Sequence, residues 1–104
     1  MTRRLVFSPV AERDLNRHID YLIDQHAIVA AEQLNQRVAA FLSMTLSAYP
    51  RTGRLAKEPD LWESWIPGTK LIVWYEFTDE ELNVVRFWHT AQQRQTDKTD
   101  DDQN

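Results

Sequence analysis

Four side chains in this sequence could carry out acid–base chemistry on a phosphodiester: Arg54, Glu63, Arg86 and His89. Cleavage of RNA through its 2′-hydroxyl needs a base, a positive group to stabilise the phosphorane charge and a proton donor. Arg54 and Arg86 would supply the charge, assisted by Lys57 and Lys70. His89 or Glu63 would be base or acid, and Tyr75 is a further candidate. The set is thin. His89 has no carboxylate at a recognisable spacing, and such a histidine more often ties a strand end to neighbouring backbone. Tyr75 is expected to point into the core and serve packing. Arg86 is expected either to pair with Glu76 across adjacent strands or to face a partner. Arg54, beside Gly53, is expected to anchor a loop with Glu63 as its ion partner. These residues lean away from catalysis and towards a binding face.

Composition narrows the chemistry further. The 104 residues include no cysteine, so disulfides and thiol chemistry are excluded, and zinc would need histidines and carboxylates. Of the three histidines, His18 and His26 lie eight apart with no carboxylate motif around them, so no metal and no other cofactor is expected. The length suits one domain, assigned to residues 1–95, followed by an acidic segment at 96–104. Net charge is −4; residues 97–104 hold four Asp and one Lys and so carry −3, leaving −1 for the body. A body so close to neutral does not suit general nucleic-acid binding, which draws its affinity from neutralised phosphates. The acidic segment lacks apolar side chains and is expected to be disordered, serving solubility. No run is long enough for a signal peptide or a membrane span, and the expected location is the cytoplasm.

The elements that must position these residues can be read from periodicity. RLVF at 4–7 can form a short strand. Ser8 suits a helix N-cap and Pro9 the first helical position. Ala11, Leu15, Ile19 and Leu22 recur at helical spacing and predict a helix over about 9–25. A second helix carries Leu34, Val38, Phe41, Leu42 and Thr45 on one face and runs to Pro50. The short break between them predicts an antiparallel hairpin. Pro50, Gly53 and Pro59 mark a loop. Three strand-like runs follow: LWESWI, KLIVWYEF and LNVVRFWH. The predicted class is α+β: strand, helix hairpin, loop, then a three-stranded antiparallel meander with the helices on one face.

Alternation then assigns the faces. Leu71, Val73, Tyr75 and Phe77 should face the helices, leaving Lys70, Ile72, Trp74 and Glu76 outward. In the last strand, Val85 and Phe87 should share one face and Val84, Arg86 and Trp88 the other. Ile72, Trp74, Arg86 and Trp88 thus form an apolar, arginine-bearing patch of the kind that meets a partner. The alternative is that the acidic segment or the 50–60 loop folds over it.

Taken in order, these motifs resemble the RelE/ParE toxin superfamily. Phe7-Ser8-Pro9, Ala11, Asp14-Leu15 and Tyr21 match its opening. Tyr49-Pro50, Gly53-Arg54, Glu63, Ile66-Pro67-Gly68-Thr69, Tyr75 and the run from Arg86 to Gln92 match its later pattern. The resemblance covers about residues 4–93 and is nearer the ParE branch, through Gly53-Arg54, Pro67-Gly68-Thr69 and the His89-to-Gln92 ending. It implies the toxin of a type II toxin–antitoxin module that inhibits DNA gyrase by binding and is neutralised by a ParD-like antitoxin. The RelE branch instead implies a ribosome-dependent messenger RNA endonuclease. The sequence departs from the ParE pattern at His18, where an aliphatic residue is usual, at Trp62, where an arginine commonly precedes Glu63, and at Gln93-Arg94. The loss of that arginine leaves open a third reading, a degenerate toxin that retains only antitoxin binding.

Overall fold

The computed structural model describes residues 2–57 and 60–90. The acidic segment and Gln93-Arg94 lie outside the described residues. The chain enters through β1 (Arg4–Phe7) and turns at Ser8 into α1 (Pro9–Asp24). The Ser8 hydroxyl oxygen accepts the Ala11 amide at 3.0 Å, as an N-cap does, and the hydroxyl donates to the Val85 carbonyl at 2.8 Å. One side chain therefore fixes both the start of the helix and its position on the sheet. His26 closes α1 with φ of 61°, the left-handed conformation that lets the chain reverse. The second helix, α2 (Ile28–Ala40), returns alongside the first.

The second helix does not run unbroken to Pro50 as expected. After Ala40 it widens into a π-helical segment, Phe41–Leu46, followed by a short 3-10 turn at Pro50–Thr52. The cause lies in the spacing of the apolar residues. Leu34, Val38, Leu42 and Leu46 are four apart, which overshoots an α-helical turn of about 3.6 residues. The wider turn brings the chain back so that Leu46 joins Leu42 in the core. Ser47 completes it: both its amide, at 2.9 Å, and its hydroxyl, at 2.8 Å, donate to the Leu42 carbonyl five residues back.

The remaining strands are β2 (Arg54–Leu55), β3 (Trp62–Trp65), β4 (Leu71–Phe77) and β5 (Glu81–His89). The three predicted strands pair antiparallel as expected. Two additions were not read from sequence. The segment expected to be loop contributes β2 at one edge, and β1 pairs in parallel with β5 at the other, giving the order β1-β5-β4-β3-β2. Two-residue β2 is too short to leave a periodic signal, and pairing between sequence-distant strands leaves none.

A bulge corrects the expected facing of β5. Trp74 opposes Arg86 while Tyr75 opposes Val84, so Val85 is the extra residue. Val84, expected outside, turns inward and is buried with Leu82 and Phe87, while Val85 is only half-buried. Arg86 and Trp88 stay outside. The core thus lies between the helices and one sheet face, built from Ala11, Leu15, Val38, Leu42, Leu46, Leu71, Val73, Tyr75, Val84 and Phe87, among others.

Candidate functional site

On the outer sheet face the register sets four residues in one row across four strands. Arg54 opposes Glu63, Glu63 opposes Trp74, and Trp74 opposes Arg86. Glu63 is nearly buried and accepts two hydrogen bonds: from Arg54 Nε at 2.8 Å and, on its other oxygen, from Trp74 Nε1 at 3.2 Å. The expected Arg54–Glu63 pair is therefore present, with the Arg54 side chain largely in water.

Arg86 does not meet Glu76, which opposes Asn83 instead. Its partner is Asp14 of α1, which is 4% exposed. Arg86 Nε donates to Asp14 Oδ2 at 3.1 Å and its terminal nitrogen to Oδ1 at 3.1 Å, a two-pronged pairing that fits the guanidinium plane. Asp14 Oδ2 also accepts the Phe87 amide at 3.1 Å. The pairing of β1 with β5 ends at Val84, so the β5 edge beyond it needs an acceptor from elsewhere, and the helix supplies one. Asp14 belonged to the resemblance pattern, but its role could not be seen in the sequence because its partners lie more than 70 residues away.

The second row holds Trp65, Ile72 and Trp88. Trp88 packs edge-on against Trp74, with ring centroids 5.2 Å apart, and the Arg86 guanidinium stacks over its ring at 4.3 Å. The indole N–H of Trp88 is buried, and no acceptor for it is present among the described residues. Ile72, Trp74, Arg86 and Trp88 therefore form one surface, as expected, but each is half-buried by its neighbours rather than open. Trp65, at 59% exposed, is the most accessible aromatic beside them.

His89 lies apart from this row. Two residues beyond Phe87, it faces the helices and stacks on His18 of α1, with centroids 5.6 Å apart and planes 27° apart. Burial, and then the nearby His89, push the His18 pKa below its ordinary 6.5; Asp14 opposes this and Arg17 adds to it. Tyr75 is in the core. Its hydroxyl donates to the Pro50 carbonyl at 2.5 Å, and burial raises its pKa to about 12, partly offset by a hydrogen bond from the Gly53 backbone. A β-carbon at Gly53 would lie 2.2 Å from that hydroxyl and 2.6 Å from the Glu63 carbonyl oxygen, so only glycine permits this approach. Of the four candidates for phosphodiester chemistry, the fold thus gathers Arg54, Glu63 and Arg86 and places His89 on the opposite face.

The two histidines line a cleft of about 500 Å³ between the helices and the start of β4. Its floor includes Leu22, Leu34 and Leu71, and Arg37, Lys70, His18 and His89 also line it. Lys70, expected beside Ile72 on the outer face, thus contributes to the helix side. Arg37 donates to the Gly68 carbonyl at 2.8 Å and so ties α2 to the turn before β4. No three His, Asp or Glu side chains converge to hold a metal among the described residues. No helix among them is long and apolar enough to cross a membrane.

A helix hairpin on one face of a small five-stranded sheet matches the fold of the RelE/ParE-type toxins. The family described as the ParE toxin of the type II toxin–antitoxin system parDE matches residues 5–94, and this chain belongs to it. Among solved structures, the chromosomal ParDE toxin–antitoxin system from P. aeruginosa aligns with a TM-score of 0.73 at 14% identity, covering 85% of this chain and 96% of that one. The RelBE2 toxin–antitoxin complex from Mycobacterium tuberculosis aligns at 0.59 and 20% identity, covering 86% and 99%. At these identities the likeness is one of fold. Among curated proteins, none matches.

Proposed function

We propose that this toxin acts by binding, with DNA gyrase as its target and a ParD-like antitoxin as its neutralising partner. The observation that carries this reading is the state of the outer row. Arg54 and Arg86 are each paired with a carboxylate, Glu63 is held by two donors, and His89 is on the other face. A phosphorane needs uncommitted positive charge beside a base and an acid, and these candidates do not meet around one point. The same surface suits a protein partner: Ile72, Trp74 and Trp88 supply apolar area, and Arg86 is stacked and held in place, so little rotamer freedom is lost on contact. For the antitoxin, the hairpin end offers Tyr21, Ile23, Ile28 and Val29, all exposed.

The deciding experiment is gyrase supercoiling of relaxed plasmid, titrated with folded toxin alone and with added antitoxin. Inhibition relieved by antitoxin is expected, with Trp88→Ala weakening it at least about tenfold, as an interface hot spot would. Full inhibition by Trp88→Ala would move the contact off this face.

One observation supports the alternative of a ribosome-dependent messenger RNA endonuclease: Arg54, Glu63 and Arg86 do share one face and one row. That reading requires transcript cleavage in a translating extract that Arg86→Ala abolishes. A chain inert in both assays that still binds antitoxin would be a degenerate toxin.

A further inference from the structure

Trp88 stands out on the outer sheet face because its indole N–H is buried and has no acceptor among the described residues. A buried donor left unpaired carries a standing cost, so its presence needs a reason. Trp88 as a whole is only half-buried. Part of its ring therefore reaches the surface, and a turn of the indole brings the N–H out to an acceptor that arrives there.

The same excess of donors runs along the row from Arg54 to Arg86. Its carboxylates are fully engaged: Glu63 takes Arg54 Nε on one oxygen and Trp74 Nε1 on the other, and Asp14 takes Arg86 on both. Left over are the two terminal nitrogens of Arg54, whose side chain is 78% exposed, and one terminal nitrogen of Arg86; none of these is hydrogen-bonded among the described residues. The charges meanwhile cancel, Arg54 against Glu63 and Arg86 against Asp14. A neutral row rich in donors has no net pull on a polyanion, whose binding rests on charge. It matches neutral acceptors instead, and every residue of a protein carries one in its main-chain carbonyl.

We propose that the outer face takes an extended, uncharged stretch of a partner protein laid across the strands, whose main-chain carbonyls accept from Arg54, Arg86 and the Trp88 indole. This rests on the reading of that face as a protein-binding surface and names the chemistry it recognises. Arg54 and Arg86 lie three strand spacings apart, about 14 Å. An extended chain covers that distance in about four residues and turns every second carbonyl to the same side. Ile72 and Trp65 lie in the neighbouring row and supply apolar contact; the Trp65 ring is held ready by its N–H, which donates to the Thr69 carbonyl at 2.8 Å.

The test uses the full chain. Its four tryptophans each give an indole N–H signal by NMR, and Trp88→Phe identifies one of them. The probe is a capped, uncharged peptide of alternating threonine and valine, set against single-stranded oligothymidylate. We expect the peptide to move the Trp88 indole and Arg54 Nε–H signals, and to do so equally at about 0.05 M and about 0.5 M salt, because little net charge is involved. Trp88→Phe keeps a ring but lacks the donor, and should weaken the Arg54 response about threefold or more, as losing one hydrogen bond does. Oligothymidylate should move neither signal. A Trp88 signal that the peptide leaves unmoved overturns the proposal, and this readout on the unaltered chain decides if the variant does not fold. So does a folded Trp88→Phe that responds like the unaltered chain, or a salt-dependent response to oligothymidylate, which would make the row a nucleic-acid face. Gyrase takes no part in this test. A moved Trp88 signal without gyrase inhibition would retire the target alone, and inhibition without a moved signal would retire this inference alone.

Discussion

The outer sheet face and the helix-side cleft hold similar residues in opposite electrostatic condition. On the sheet face, Arg54 and Arg86 are both matched to carboxylates of the same domain, Glu63 and Asp14. In the cleft, Arg37 is tied to a neutral backbone carbonyl, and no Asp or Glu lines it among the described residues. The first arrangement organises a surface, because paired and stacked side chains hold their shape. The second ties helix to turn through a neutral acceptor and sets two imidazoles face to face. Residue type alone does not distinguish these roles; the partner does.

This contrast can be broken most severely at Asp14. Asp14→Ala removes both acceptors of Arg86 and leaves the Phe87 amide without its partner. We expect a loss of about 3 kcal/mol in urea unfolding, in the range for breaking a buried pair from one side. A loss below about 1 kcal/mol would mean that the pair is a surface ornament. Gly53→Ala should cost about 2 kcal/mol by forcing the Tyr75 hydroxyl away from the Pro50 carbonyl, as an overpacked core site does. Arg54→Ala should cost only about 1 kcal/mol, since its guanidinium is mostly in water and Trp74 still binds Glu63. A double-mutant cycle between Arg54 and Glu63 would check that ranking.

The smallest effect sharpens the cleft side of the comparison. The folded pKa of His18 is depressed, so the unfolded chain takes up its proton first as pH falls. The stability contributed by neutral His18 is complete above about pH 6.5 and declines as pH drops through that value towards the folded pKa. His18→Leu, which removes the titrating ring and keeps an apolar side chain there, should flatten unfolding midpoints between pH 7 and pH 5. An unchanged slope would place the dependence on another group.

Much of the fold could be read in the sequence because it rests on local rules. Ser8-Pro9 marked the start of the first helix, and alternation placed Leu71, Val73 and Tyr75 in the core. The misreadings arise where a non-local or irregular event intervened. The bulge at Val85 reverses the expected facing of Val84, since one inserted residue breaks the period of two. For Arg86 the sequence offered Glu76 across the strands or an external partner, whereas a helix 70 residues earlier held its ion partner. His18 and His89 looked unrelated for the same reason. The candidate site was therefore legible as a set of residues but not as a set of contacts.

The strand order has a consequence for how the molecule comes into being. The last of the described strands, β5, lies between β1 and β4, so the first strand has no sheet to join until residues near 81–84 exist. The gap of 77 residues between Arg4 and Glu81 places this parallel pairing among the slow, non-local steps of assembly. Asp14 and Ser8 wait for the same strand, because the bonds that seat α1 end on Val84, Val85, Arg86 and Phe87. A chain cut before Glu81 should accordingly show no cooperative unfolding transition. During synthesis the row that runs from Arg54 to Arg86 therefore cannot close until the segment holding Arg86 has been made.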